Sequence, residues 1–305
     1  MDWIIPAILT VAMAATPLIF AALGELVVEK SGVLNLGVEG MMLIGAVTAF
    51  ATVLTTDNPY LGVLAGALAA AALSLLFAFL TQTLLANQVA TGLALTIFGV
   101  GLSALLGSGF VGQAWSGVPK GIPGLQDLPF VGRLLFGHDP FVYAALLATL
   151  LVSLFLYRTR AGMILRAVGT NHNAAYSIGY NVVAIRYAAI LFGGAMAGIA
   201  GAYLSLAYTP MWMEGMTAGR GWIALALVVF ATWKPWRALL GAYVFGGITI
   251  IQLNIQGFGI DISSEFLSML PYLATILVLV VISRNKILVK MNAPGSLLKT
   301  FHASS

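Results

Sequence analysis

No charged residue occurs between Asn58 and Pro119. A water-soluble surface cannot be built without charges, whereas a bilayer core takes helices of about 20 mainly apolar residues. This run is long enough to cross twice. Trp3–Gly24, Gly40–Thr56, Pro140–Tyr157, Tyr187–Met213, Ala238–Ile260 and Phe266–Ser283 are also uncharged, each long enough for one crossing. Over the whole chain 8% of residues are charged and 60% hydrophobic, against about 25% charged in soluble domains. A soluble globular domain is excluded. So is disorder, which needs a chain poor in apolar residues. A transmembrane barrel would alternate over segments of about 10 residues, and these runs are continuous. The fold class is therefore all-α: a polytopic integral membrane helical bundle, with 1–305 as a single transmembrane domain.

Nine candidate spans follow: Trp3–Gly24, Leu36–Thr56, Leu61–Leu85, Val89–Leu106, Phe141–Tyr157, Ile185–Tyr208, Gly221–Trp233, Trp236–Gln256 and Ser268–Ser283. Met1-Asp2-Trp3 lacks the positive start of a cleaved signal peptide, so the first run is read as a retained span. With 158–186 placed in the cytoplasm and the sides alternating outward, only Lys120, Arg133 and Arg220 of the 14 basic residues fall outside. That bias predicts an outside N-terminus and a cytoplasmic C-terminus. It also accounts for the net charge of +4 without nucleic acid, which is not an expected partner. With no cysteine, disulfides, thiol chemistry and Cys metal sites are excluded.

Two connections are too long for tight turns. The outer loop, 107–139, is rich in Gly and Pro, contains Trp115 and is expected to hold a short surface helix. The inner loop, 158–186, is broken by Gly162, Gly169 and Gly179. Leu36–Leu85 and Gly219–Gln256 are each a Gly-flanked span, a short turn and a second span. One starts inside and the other outside, the pattern of an inverted repeat.

Three segments are candidates for function. The first, Gly24 to Met42, places Glu25, Glu29, Lys30, Asn35 and Glu39 at the junction of two spans, with Gly32, Gly37 and Gly40 among them. It reads either as a cytoplasmic loop with snorkelling charges or as a broken helix lining a pathway. The second, Glu214–Trp233, leaves only Gly221–Trp233 uncharged, short for a full span. Either Arg220 snorkels outward, or the helix is interrupted at Gly219 and Gly221, a pointer to a transport path. Glu214 and Arg220 are six residues apart, not at helical pairing distance. Trp212, Trp222, Trp233 and Trp236 fit interfacial belts better than a binding site. The third is the inner loop from Gly162 to Val182. Asn173-Ala174-Ala175 followed by Gly179 suggests a short helix with a glycine C-cap, N-capped by Asn171 or Asn173. It reads as a connector or as a docking element for a cytoplasmic partner.

Other chemistry is missing. The nearest approach to a phosphate-binding loop, Gly24-x4-Glu29-Lys30-Ser31, has glutamate where the second glycine is required. The chain should not hydrolyse ATP. His138, His172 and His302 are isolated, so neither a metal site nor a catalytic residue is expected. A gradient-driven carrier using Glu25, Glu39 or Glu214, and a membrane-embedded enzyme, are the competing classes.

Four motifs carry a resemblance. They are Ser31-Gly32-Val33-Leu34-Asn35-Leu36-Gly37-Val38-Glu39-Gly40-Met41-Met42, Gly162-Met163-Ile164-Leu165-Arg166-Ala167-Val168-Gly169, Asn173-Ala174-Ala175-x3-Gly179, and Gly219-Arg220-Gly221-Trp222-Ile223-Ala224-Leu225-Ala226. The chain resembles, over nearly its whole length, permease subunits of ABC importers in the branched-chain amino acid, ribose and nucleoside superfamily. The Gly162–Gly179 run resembles that family's cytoplasmic coupling loop, of the E-A-A-x3-G kind, with Asn173 in place of the acidic residue. Asn-Leu-Gly-Val-Glu-Gly is similar to the nucleoside branch, where sugar permeases tend to read G-I-D-L-S-V-G. Sugar permeases often carry one extra N-terminal span, and this chain reads as beginning after it.

The resemblance implies an importer of nucleosides or related small polar solutes in a bacterial plasma membrane, with a simple-sugar importer as the alternative. It implies a second permease subunit of a different chain, cytoplasmic ATP-binding subunits that hold ATP and Mg, an extracellular binding protein, and membrane lipid around the spans. No cofactor is expected in this chain. The expected pathway residues are Asn35, Glu39, Gly40, Glu214, Arg220 and Trp222. The expected coupling residues are Arg166, Gly169, Asn171, His172, Asn173, Ala174, Ala175 and Gly179.

Overall fold

In the computed structural model, residues 4–121, 124–126, 132–257, 266–267, 269–283 and 292–302 are described. Twelve helices are named among them: α1 (Ile4–Lys30), α2 (Val38–Thr56), α3 (Pro59–Ala78), α4 (Gln88–Gly107), α5 (Gly132–Phe136), α6 (Pro140–Arg158), α7 (Arg160–Thr170), α8 (His172–Ser177), α9 (Val182–Tyr203), α10 (Arg220–Phe230), α11 (Pro235–Gly257) and α12 (Leu270–Ser283). π-helical turns extend α3 over Phe79–Thr83 and α9 over Leu204–Tyr208. Six helices, α1, α2, α3, α4, α6 and α9, are long and apolar enough to cross a membrane among the described residues. The other three expected spans fall on α10, α11 and α12, and α10, with 11 residues, is too short for a full crossing.

Polar residues mark where these helices start. Asn58, Asn87, Asp139, Thr159, Asn171 and Asn181 each accept hydrogen bonds from the backbone N–H groups of the next turn. Pro59 and Pro140 follow two of these caps, at positions where a missing N–H costs nothing.

α9 runs through the centre of the bundle, packed by α1, α2 and α3. Lipid is as apolar as leucine, so helices in a bilayer associate by close packing of small residues. α9 supplies these as Gly193, Gly194, Gly198 and Gly201, interleaved with alanines. A Cβ added at Gly198 would lie 2.4 Å from the Gly66 carbonyl oxygen of α3. One added at Gly201 would lie 1.9 Å from the Met42 carbonyl oxygen of α2. Outer faces are leucine-rich: Leu64 and Leu68 of α3, Ile97 and Leu105 of α4, and Leu147 and Leu151 of α6 are exposed, as lipid contact requires.

The outer loop is less free than its composition suggests. Trp115 N donates to Pro210 O at 3.1 Å and Trp115 Nε1 to Asp57 Oδ1 at 2.9 Å. Isolated β-bridges pair Val111 with Trp212 and Ala114 with Met211. The short helix expected here is α5, of five residues. Two of the expected belt tryptophans are internal: Trp212 and Trp233 are buried, while Trp236 is exposed.

Replacing Gly201 with alanine is expected to destabilise the bundle by about 3 kcal/mol, the upper range for overpacking. The measurement is the thermal unfolding midpoint in detergent, with Gly101→Ala, which meets open space, as the control.

Candidate functional site: a buried helix junction, a short capped helix and the 158–186 loop

α1 runs six residues beyond the expected span, so Glu25 and Glu29 are helical and buried. The chain then leaves the helix over 31–37 without reaching solvent. The junction is thus a buried, non-helical connection between two long helices rather than a solvated loop. Gly32 has φ +91, a backbone that L side chains rarely adopt.

Backbone polar groups inside a bilayer must find partners within the protein. Here side chains provide them. Leu34 N donates to Gln88 Oε1 at 3.0 Å, Asn35 N to Glu25 Oε1 at 2.9 Å, and Gly37 N to Asn35 Oδ1 at 2.9 Å. Leu36 O accepts from Thr96 Oγ1 at 2.8 Å, and Ser31 O from Arg186 Nε at 3.3 Å. Gly40 and Gly99 then touch backbone to backbone, with 2.6 Å between a Cβ added at Gly99 and Gly40 Cα. Gly99 lies near the middle of α4, so α2 begins at mid-helix depth rather than at an end.

The short helix α10 meets the break there. Turns rather than helix precede it over 214–219, and Gly221 lies inside its first turn, so no helix is interrupted at Gly219 or Gly221 as one reading expected. Gly219, at φ +78, turns the chain into α10, about 16 Å long at 1.5 Å per residue. Glu39, in the first turn of α2, caps it. Oε1 accepts from Thr217 Oγ1 at 2.6 Å and Gly219 N at 2.8 Å, and Oε2 accepts from Gly221 N at 2.5 Å. A carboxylate at a helix N-terminus also gains from the helix dipole, by up to about 2 kcal/mol in buried geometry. Beyond the other end of α10, Trp233 Nε1 donates to Glu29 Oε2 at 2.6 Å. Thus α10 is held at one end from α2 and at the other from α1.

The expected pathway residues divide. Asn35, Glu39 and Gly40 gather at the break, and Arg220 and Trp222 begin the half-helix that Glu39 caps. Arg220 Nη1 donates to Met216 O and Thr217 O at 3.2 and 3.3 Å, and its guanidinium lies 5.3 Å from the Tyr208 ring. Trp222 is half-buried and Glu214 is exposed outside the cluster. Gln88, Thr96 and Thr217 complete the site although the sequence reading omitted them. Gln88 and Thr96 lie inside an uncharged run and carried no signal of their own.

The inner loop forms two helices at an Asn171 joint. Asn171 Oδ1 accepts from Ala174 N at 3.1 Å, so Asn171, not Asn173, is the cap. Gly179 follows at φ +93, as the C-cap reading expects. The coupling residues split by face. Gly169, His172 and Ala175 point inward, whereas Asn173, Ala174 and Gly179 are exposed. A Cβ at Gly169 would lie 2.0 Å from the Lys30 carbonyl oxygen, which docks α7 on the end of α1. Half-buried Arg166 stacks its guanidinium 5.1 Å from the Tyr157 ring.

Arg186, fully buried, is the hub behind this loop and was not among the expected site residues. Besides Ser31 O, it donates to Gln82 Oε1 at 3.3 Å, Lys299 O at 3.2 Å and His172 Nδ1 at 3.1 Å. Arginine has no acceptor, so His172 Nδ1 must be unprotonated. Burial, then Arg186, then Lys299 hold the His172 imidazole below its ordinary value of 6.5.

Glu39→Gln is expected to cost about 1–3 kcal/mol, because an amide donor then faces a backbone N–H in place of an acceptor. Thermal stability in detergent and solute uptake should fall together. For His172 the unfolded chain takes up a proton near 6.5 and the folded loop resists it. The joint is therefore fully stable above that pH and weakens as pH drops below it. Hydrogen exchange in α8, corrected for intrinsic rate, should be faster at pH 5.5 than at 7.5. His172→Asn should remove that dependence.

Residues 7–282 match the family described as branched-chain amino acid transport system / permease component. A Haloferax volcanii protein named "Putative glucose ABC transporter permease protein" is 42% identical over 312 residues, 95% of this chain and 95% of its own length. A nucleoside ABC transporter permease protein of Lactococcus lactis is 34% identical, covering 87% of this chain and 88% of its own. A guanosine ABC transporter permease protein of Bacillus subtilis is 33% identical, covering 90% of each. The gradient-driven carrier and the membrane-embedded enzyme give way to a transport subunit. The chain belongs to the branched-chain amino acid transport system permease component family, and it is a multi-pass membrane subunit of the ABC transporter permease kind.

Proposed function

We propose that this chain is the membrane-spanning subunit of an ATP-driven importer in a bacterial plasma membrane, carrying a nucleoside or a simple sugar. The observation that carries the reading is the meeting of the non-helical junction at 31–37 and the short helix α10 at Glu39, level with the middle of α4. Unusually short or interrupted apolar segments point to substrate paths in transporters. Relatives named for glucose and for nucleosides have one chemistry in common, a polyhydroxylated ring, and that moiety is the proposed determinant. Asn35, Glu39, Gly40, Arg220 and Trp222 are the proposed pathway residues, with Glu214 at its exposed edge.

The proposed topology has nine crossings, an outside N-terminus and a cytoplasmic C-terminus. Leu36–Leu85 and Gly219–Gln256 are taken as inverted units. The partners are cytoplasmic ATP-binding subunits, a second, different permease chain and an extracellular binding protein. α7 and α8 form the loop on which the ATP-binding subunits act. Its outward face, Asn173, Ala174 and Gly179, makes the contact, and Gly169, His172 and Ala175 set its shape.

The test begins with a mild-detergent pull-down of the tagged chain. Stoichiometric recovery of an ATP-binding protein is expected. Recovery of a chain that transports in proteoliposomes without ATP would overturn the reading. In the reconstituted complex, Ala174→Trp, on the exposed face of α8, should lower uptake about tenfold, equivalent to about 1.4 kcal/mol of docking. ATP hydrolysis should lose its dependence on solute. Uptake of labelled guanosine and of labelled glucose decides between the two solutes.

A further inference from the structure

Segment 292–302 folds back onto the inner loop, and its contacts are specific. Ser296 N donates to Gly169 O at 2.8 Å, and Ser296 Oγ accepts from His172 N at 3.1 Å. Lys299 O accepts from Arg186 at 3.2 Å, and Asn292 O from Lys30 Nζ at 2.8 Å. Phe301 forms a small apolar cluster with Val168, Ala175 and Val182, separate from the main core. Its ring lies edge-on to His172 at 5.4 Å and Tyr176 at 5.3 Å.

Beside this packing lies a groove to which both segments contribute. Its volume is about 670 Å³, and its lining includes Tyr176, Tyr180, Asn181 and Val183 from the loop and Phe301 from the returning segment. Exposed apolar side chains occur on both segments. Ile178, between the lining residues Ser177 and Gly179, is 71% exposed, and Leu298, three residues before Phe301, is 49% exposed. Exposed apolar surface, where it is continuous, marks an interaction site. The groove lining itself carries no charge, and the two segments that contribute to it carry one sign. No Asp or Glu occurs from Arg158 to Arg186 or from Asn292 to Ser305, while Arg158, Arg160, Arg166 and Lys299 are basic. A complementary occupant presents apolar side chains within an acidic rim.

We propose that α8 and segment 292–302 form one composite docking surface, and that its occupant is an acidic-rimmed, apolar segment of the ATP-binding subunit. This rests on the reading of α7 and α8 as the coupling loop and adds Phe301, Leu298 and Lys299 to it. The returning segment holds α8 at a fixed angle through Arg186 and His172 and supplies one wall of the groove.

Because the chain has no cysteine, single cysteines report on this surface directly. Ile178→Cys and Lys299→Cys each replace an exposed side chain. Each is labelled with a polar maleimide in purified, lipid-free complex stripped of its ATP-binding subunits. Labelling is repeated after those subunits are added back at ten times their Kd. Both cysteines should be slowed about tenfold, following the occupancy at that concentration. Protection at 178 but not at 299 would overturn the composite surface and leave the coupling loop intact. Lack of protection at 178, whatever happens at 299, would overturn the coupling-loop reading as well. Protection at 299 by phosphatidylglycerol nanodiscs without any subunit would assign the segment to the membrane surface instead and overturn the proposal.

Discussion

The carboxylate of Glu39 is the interaction on which the interior depends. Burying a charge costs several kcal/mol after relaxation, and here three donors offset it. Charge-assisted hydrogen bonds contribute about 1.5–3 kcal/mol each, so Thr217 Oγ1, Gly219 N and Gly221 N together cover that cost. The same bonds satisfy N–H groups that the start of α10 would otherwise leave buried without partners. One side chain thus permits two departures from helical geometry, the late start of α2 and the early start of α10.

Around this point the protein uses two different kinds of cohesion. Near the breaks, polar side chains substitute for missing helical partners, as Gln88, Glu25 and Thr96 do for residues 34–36. Along α9, cohesion comes from the absence of side chains. Gly198 and Gly201 let backbones approach until dispersion holds them. The first kind fixes positions and the second fixes distances. Lipid-facing α3, α4 and α6 need neither on their outer sides and carry leucine there.

Much of this was legible in the sequence, for physical reasons. Uncharged length reports spans, because the bilayer enforces it, and all nine expected segments are helical over most of their length. Gly-flanked polar residues pointed to the non-helical stretch at 31–37 as one of two readings, since a strained turn needs glycine; at Gly219 they marked the start of a short helix rather than an interruption of one. What stayed hidden was pairing over long separations. Nothing local tells that Glu39 reaches Thr217, or that Trp212 and Trp233, which resemble belt residues, are buried. Arg186 reads as a loop-end charge, yet it is the most connected side chain of the inner loop. Segment 292–302 is short and weakly patterned, so its packing on α8 has no periodic signature.

The return of that segment to α8 also sets an order in time. The ribosome delivers Asn171 and the short helix it caps well before Ser296 and Phe301 exist. Until they arrive, Val168, Ala175 and Val182 lack their aromatic cover, and His172 lacks one hydrogen-bond partner. The inner loop therefore reaches its final shape only after the spans that separate it from residue 292 have been threaded. Completion of the loop follows synthesis of α9 to α12, so a half-made subunit lacks the finished surface.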